Sequence, residues 1–312
     1  MHMDLDQRLA ISYYKPIAAI NEPHHVYLVQ HQETKKIAIK KVLDVYNLAV
    51  YAELYRNPVA GTPRIINYYE EAGQLTVIEE YISGTSLQDK ISHADIAPND
   101  MLQYMLDLCA ILEQLHLHNP AIIHRDVKPS NVIITSYNRA VLLDFNAAKY
   151  HTATKDSDTI LLGTQGYAAP EQYGFGQSSP QTDIYSMGIL LKEMAEASHC
   201  QNPYIDAVTD KCTQMNPAER YQSIGELRQV LLANGGIFPY THAGRASTGD
   251  LSGLSSNQSN TQIQGNSVSP ANHMQFAPPG FRSKTPWKMA VALLTYIFLA
   301  WFCLSMKVNN TF

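Results

Sequence analysis

The sequence predicts an α+β domain, followed by a polar linker and a terminal apolar run, and three observations lead there. Residues 11–82 are strand-like, with β-branched and aromatic runs such as Val26-Tyr27-Leu28-Val29, Lys36-Ile37-Ala38-Ile39-Lys40 and Leu75-Thr76-Val77-Ile78. Beyond them apolar residues recur at helical spacing, so the second and larger piece is mainly helical. After Ala233 the composition turns to Gly, Ser, Asn, Gln and Pro, with almost no aliphatic residues until the last stretch.

One helical pattern interrupts the strands. Over 45–56, Leu48, Tyr51, Ala52 and Tyr55 share a helical face, and Pro58 stops the run. In the second piece, Leu102, Met105, Leu106, Leu108, Cys109, Leu112 and Leu115 predict a helix over 101–118, and similar patterns cover 184–197 and 224–232. Residues 233–286 cannot bury enough apolar area to offset the entropy of ordering them, so they read as a disordered linker. An uncharged run over 289–306, about 18 residues, has the minimum length for a membrane span. With Trp287 and Trp301 toward its ends, it predicts a single transmembrane helix over 287–306. Arg282, Lys284 and Lys288 precede it and only Lys307 follows, which places the preceding domain on the cytoplasmic side.

Composition narrows the function. With 312 residues and a formal net charge of −5, the chain can bury a sizeable core but lacks the basic excess of a nucleic-acid binder, so no nucleic-acid partner is expected. Cys109, Cys200, Cys212 and Cys303 are widely spaced and form no C-x-x-C pair, which favours reduced thiols over a zinc or redox site. The residues from Met1 to Asp6 show neither the basic nor the apolar region of a signal peptide. His24-His25 and His116-x-His118 have the wrong spacing to share a helical face, so the 12 histidines suggest no helical metal site.

The chemistry concentrates in His124-Arg125-Asp126-Val127-Lys128-Pro129-Ser130-Asn131, set between the apolar runs Ile122-Ile123 and Val132-Ile133-Ile134. This segment resembles the H-R-D…N catalytic loop of protein kinases. The spacing suits phosphoryl transfer, which needs a carboxylate beside the attacking hydroxyl and an oxygen ligand for Mg²⁺ on one short loop. The resemblance implies Asp126 as the base, Asn131 as a metal ligand, and Lys128 as the neutraliser of charge on the moving phosphoryl group. Lys128 also favours Ser or Thr over Tyr as the acceptor. Val141-Leu142-Leu143-Asp144-Phe145-Asn146 resembles D-F-G, with Asp144 as second metal ligand and Asn146 in the glycine position. Asn tolerates a left-handed backbone, so Asn146 is expected to keep the turn.

Gly163-Thr164-Gln165-Gly166-Tyr167-Ala168-Ala169-Pro170-Glu171 is similar to the segment that ends an activation loop at A-P-E, with Thr164 beside the entering hydroxyl. The family pattern implies a Glu171–Arg220 pair and an Asp183 that holds the catalytic-loop backbone, both structural. Ala38-Ile39-Lys40 matches V-A-I-K. Alternation puts Lys40 on the face of Ala38, toward the cleft, so Lys40 is taken over Lys41 as the nucleotide-binding lysine, with Glu53 as its helix partner. Glu79 stands where the family has an apolar residue behind the adenine, and pairing with a nearby cation is its one suggested role.

Two departures are expected to matter. The positions of G-x-G-x-x-G hold Ala19, Asn21 and His24, and Pro23 removes a backbone donor, so weaker nucleotide affinity is expected. The stretch 194–217 is short beside the family region, where another helix lies, which predicts a reduced docking surface. Thr152, Thr154, Ser157 and Thr159 are candidate phosphorylation sites, with Arg125 as the basic partner.

The resemblance covers 11–232 and is nearest to the eukaryotic-like (Hanks-type) Ser/Thr kinases of bacteria, particularly Gram-positive ones. It implies the bilobal protein-kinase fold, a small β-rich N-lobe on a larger α-helical C-lobe. It further implies ATP with Mg²⁺ (or Mn²⁺), protein substrates with Ser or Thr hydroxyls, self-association for autophosphorylation, and action at the cytoplasmic membrane face. The alternative is a pseudokinase, a nucleotide-sensing or scaffolding module whose degenerate glycine loop has lost turnover.

Overall fold

A computed structural model describes residues 5–151, 163–174 and 176–233, all within one unit that spans Met1–Ala243. Apart from Ala233, which ends a helix, the expected linker lies outside the described residues, as do the 287–306 run and the four candidate phosphosites. Among the described residues no helix is long and apolar enough to cross a membrane.

The first half is built on an antiparallel five-stranded sheet of order β1-β2-β3-β5-β4. Its strands are β1 (Tyr14–Asn21), β2 (Val26–His31), β3 (Ile37–Leu43), β4 (Ile65–Glu71) and β5 (Gln74–Glu80). Ahead of them α1 (Leu5–Ser12) takes in Ile11, where the sequence pattern began a strand. Helix α2 (Leu48–Arg56) lies between β3 and β4, and it starts where the Asn47 side chain accepts from the amides of Ala49 and Val50.

The two faces of this sheet bury different cores, because alternate side chains point opposite ways. On the outer face Val29, Ala38 and Ile78 cluster with Ile11 of α1. On the inner face Leu43, Leu75 and Val77 join the main core with Val50, Tyr51 and Leu54 of α2. The period of 2 therefore commits Ala38 and Lys40 to the outer face, and Lys41 and Leu43 to the inner one.

The second half is helical around α4 (Pro98–His116), which opens on a proline whose fixed φ suits the first turn. Met101, Tyr104, Met105, Leu108, Leu112 and Leu115 are wholly buried at helical spacing. Each such side chain contributes about 1.5–3 kcal/mol of burial free energy. Short strands carry the loops: β6 (Gly84–Ser86) pairs with β8 (Val132–Thr135), β8 with β9 (Ala140–Leu142), and β7 (Ile122–Ile123) with β10 (Lys149–Tyr150). Helices α3 (Leu87–Ser92), α5 (Pro180–Ala197), α6 (Pro203–Cys212) and α7 (Ile224–Ala233) complete the unit. Short as 194–217 is, α6 fills it. Gly188 lets α6 lie close on α5, since a Cβ there would come within 2.4 Å of Cys212 Cβ.

One buried ion pair ties distant segments together. Arg220 donates from both terminal nitrogens to the two Glu171 oxygens, at 2.8 and 2.9 Å. It also donates to the carbonyls of Gln181 and Gln214, and Thr182 Oγ1 donates to Glu171 Oε1. Removing one partner leaves a charge unpaired inside the protein. Arg220→Ala is expected to lower unfolding free energy in urea by about 3–5 kcal/mol, and Arg220→Lys to recover only part of it because an ammonium lacks the two-pronged geometry.

Candidate active site

The catalytic-loop candidates are held from below by α5. Asp183 is fully buried and accepts from the backbone amides of His124 (2.9 Å) and Arg125 (2.8 Å), with His116 Nε2 at 2.8 Å. Burial by itself lifts this carboxyl's pKa, yet the His116 hydrogen bond, the histidine charges and the Arg125 amide outweigh it and keep it low. Arg125 takes φ 69°, a left-handed conformation that costs a non-glycine residue energy. Gln172 Nε2 holds it there through a 2.8 Å bond to the Arg125 carbonyl.

Above this footing, Asp126, Lys128 and Thr164 form a closed triangle. The Thr164 hydroxyl donates to Asp126 Oδ1 at 2.8 Å and accepts from Lys128 Nζ at 2.6 Å. Lys128 Nζ also lies 2.7 Å from Asp126 Oδ2. Burial alone would raise the Asp126 pKa, but Lys128 by hydrogen bond and charge, Thr164 and His124 hold it below the usual carboxylate value. Asp126 is therefore an ionised acceptor at neutral pH.

Asn131 and Asp144 are brought together by the β8–β9 ladder. Val132 pairs with Leu142, and just beyond it the Leu143 amide donates to the Asn131 carbonyl at 2.7 Å. Asn131 Nδ2 makes both hydrogen bonds of its side chain, to the Asp126 carbonyl and to Asp126 Oδ2, each 2.9 Å. That leaves the amide oxygen as an acceptor. Asp144 Oδ1 is buried without a hydrogen-bond partner, and its nearest cation is Lys41 at 3.7 Å. The orphaned Asp144 oxygen and the spare Asn131 amide oxygen are the ligand chemistry that fits Mg²⁺, which takes one or two protein ligands and completes its shell with phosphate and water. No group of three or more His, Cys, Asp or Glu that could hold a metal occurs among the described residues.

Three sequence expectations are corrected at this site. Lys40 does not face the cleft: it lines an outer cavity with Arg8, Leu9, Tyr14, Lys15 and Tyr69, while Lys41 occupies the inner face. Lys41 Nζ is 2.8 Å from Glu79 Oε1, with both side chains under a tenth exposed. Glu53 partners neither lysine. It accepts from Arg56 (3.2 Å) and Asn57 (2.8 Å) and lies 3.6 Å from His118. Nor does Asn146 supply the left-handed turn, which falls at Asp144, φ 66°. Instead Asn146 Oδ1 accepts a 2.7 Å bond from the Tyr51 hydroxyl of α2.

Burial opposes the Lys41 charge, but Glu79 and then Asp144 outweigh it and raise its pKa. Burial likewise raises the Glu79 carboxyl, against the pull of Lys41. The two directions compete, and the ion pair is the arrangement that the 2.8 Å contact supports. Without it the ammonium would have only Asp144, at 3.7 Å.

The turn between β1 and β2 closes over this floor without glycine. Glu22–His24 form one 3₁₀ turn, and His25, at φ 52°, ends it by donating its amide to the Glu22 carbonyl. Pro23, His24 and His25 line a cavity of about 390 Å³ with Asp44, Asp126, Lys128, Asp144, Asn146 and Thr164. Acceptors and cations thus face one another across a space roofed by the turn.

The depressed Asp126 pKa gives a signed expectation. An unfolded carboxyl, titrating at ~3.9, binds protons more readily than Asp126 does in the fold. Its contribution to stability is present above that pH and is lost as pH falls through the depressed folded value. In Lys128→Met the Asp126 carboxyl is expected to titrate at higher pH by carbon-13 NMR, and an unchanged midpoint would remove Lys128 as the cause.

Comparison with known proteins identifies the family. The sequence matches the family described as "Protein kinase domain" over residues 24–230. It is 31% identical over 188 residues to serine/threonine-protein kinase PknB of Mycolicibacterium smegmatis, covering 50% of this chain and 30% of that protein. Serine/threonine-protein kinase D of Synechocystis is 31% identical over 197 residues, 54% of this chain and 38% of its own length. Mitogen-activated protein kinase kinase 1 of Arabidopsis thaliana is 29% identical over 214 residues, 64% of this chain and 59% of its own. The chain thus spans 30% to 59% of these relatives. With that family matched over residues 24–230, the chain belongs to the protein kinase domain family.

Proposed function

We propose that this chain is a Ser/Thr protein kinase of the eukaryotic-like bacterial type, transferring the γ-phosphoryl group of ATP to protein hydroxyls. The observation that carries the reading is the Thr164 hydroxyl, held between Asp126 Oδ1 and Lys128 Nζ at 2.8 and 2.6 Å. An incoming Ser or Thr hydroxyl needs those two neighbours: a carboxylate to orient it and accept its proton, and an ammonium to offset phosphoryl charge. Asn131 and Asp144 would hold Mg²⁺ or Mn²⁺, which when bound neutralises charge on the phosphate oxygens. Lys41, in the role that the sequence pattern gave to Lys40, would meet the α- and β-phosphates. His24 and His25 put imidazoles where glycine amides are usual, so side chains replace part of the backbone cradle.

The apolar run at 289–306 supports a second part of the proposal, a single membrane anchor with the kinase domain on the cytoplasmic face. Such an anchor would restrict substrates to proteins at the membrane surface and raise the local concentration of neighbouring copies for autophosphorylation.

Radiolabelled phosphate transfer tests the activity. Asp126→Asn is expected to lower incorporation into a Ser/Thr peptide by about 10²–10⁴-fold, and Lys41→Met to abolish most of it while Lys40→Met keeps activity near wild type. Equal incorporation by wild type and Asp126→Asn would leave the pseudokinase reading in its place. After carbonate washing, the full chain is expected to stay with the membrane pellet and a chain ending at residue 286 to be released; release of both would remove the anchor.

A further inference from the structure

We infer that Glu79, on the strand beside Lys41's own, is the positioning residue for the phosphate-binding ammonium, and that helix α2 supplies no carboxylate to it. The inference rests on the kinase reading above and names a part of that site.

Register makes the pairing local. Ile39 lies opposite Glu79 and Lys41 opposite Val77, so Lys41 and Glu79 are diagonal neighbours on the inner face of adjacent antiparallel strands. Their 2.8 Å contact is shielded from water, with side chains 8% and 9% exposed. A buried ammonium needs a compensating charge. Asp144 alone is a poor one: it is 3.7 Å away, and its oxygen is the orphan suited to a metal. By holding Lys41, Glu79 leaves Asp144 available to the cation.

Helix α2 offers no substitute. Its sole acidic residue is Glu53, turned toward Arg56, Asn57 and His118. The α2 residue that does reach the site is Tyr51, a buried phenol bonded to Asn146. Burial first, then the Asp144 and Glu79 charges, raise its pKa well above 10.0, so it stays a neutral donor. Two connections are thus separate: the lysine is set by the sheet's backbone ladder, and α2 reaches the D-F-N segment through Tyr51. A shift of α2 would break the second and leave the first in place.

The test uses the full chain, with Mg²⁺ and a non-hydrolysable ATP analogue for binding by calorimetry and a Ser/Thr peptide for turnover. E79Q is expected to raise the analogue's Kd and lower kcat/KM for ATP, each by ~10-fold or more (1.4 kcal/mol per tenfold), while E53Q changes either by less than ~2-fold. In the K41M background E79Q should cost nothing further, because the group it positions is gone. Should E79Q fail to fold, K41M/E79Q, which removes both charges, is expected to fold with a higher unfolding midpoint than E79Q. Equal effects of E79Q and E53Q, or additive effects of K41M and E79Q, would overturn the inference. Analogue binding that depends on Glu79 without any phosphate transfer would sink the kinase reading alone and leave the positioning role standing.

Discussion

The site depends first on one buried carboxylate. Asp183, on α5, accepts from two successive amides of the catalytic loop and from His116 of α4. Those contacts fix the backbone from His124 to Asp126, and Arg125 is held in a left-handed conformation that an unsupported loop would leave. Everything above inherits that placement. Asp126 meets Thr164 and Lys128 because its own backbone is pinned, and Asn131 in turn donates to its carbonyl and carboxylate. His124 adds a second brace, with its ring edge-on to Phe145 and one nitrogen on the Leu143 carbonyl.

On this floor the upper half of the cleft is assembled from unusual residues that make sense together. Asn146 replaces a glycine, and Tyr51 of α2 presents a phenol to it. Because Tyr51 takes the inward position of α2, a carboxylate for the buried lysine must come from elsewhere, and Glu79 provides it. The glycine-free turn follows a similar logic. His25 ends it in a left-handed conformation and, with His24, lines the cavity above Asp126 and Asp144. Of these, Lys41 and Glu79 form the buried ion pair, and either charge left alone there would cost several kcal/mol.

Much of the fold was legible in the sequence because long helices announce themselves by period. The pattern over 101–118 corresponds to α4, where Met105, Leu108, Cys109, Leu112 and Leu115 are buried and Leu102 and Leu106 partly so, and 45–56 contains α2. The loop motifs were legible for a different reason: Asp126, Lys128, Asn131 and Asp144 fall at fixed spacing in short segments, which is what carries the family resemblance that names them. The Glu171–Arg220 pair, 49 positions apart, could be named only through family resemblance, since no local pattern links those residues. The short α1 was missed, because its two turns, Leu5–Ser12, carry too little apolar period to set Ile11 apart from the start of a strand.

The sequence by itself determined the alternation of β3: Ala38 and Lys40 on one face, Lys41 and Leu43 on the other, because successive side chains must point opposite ways. Which of those faces looks into the cleft was decided only by tertiary structure. Ile11 packs against Val29, Ala38 and Ile78 and makes theirs the outer face, so Lys41 turns inward, where a carboxylate from the neighbouring strand compensates its charge. Period is a local property of the chain. Which side is covered depends on segments that meet only after folding.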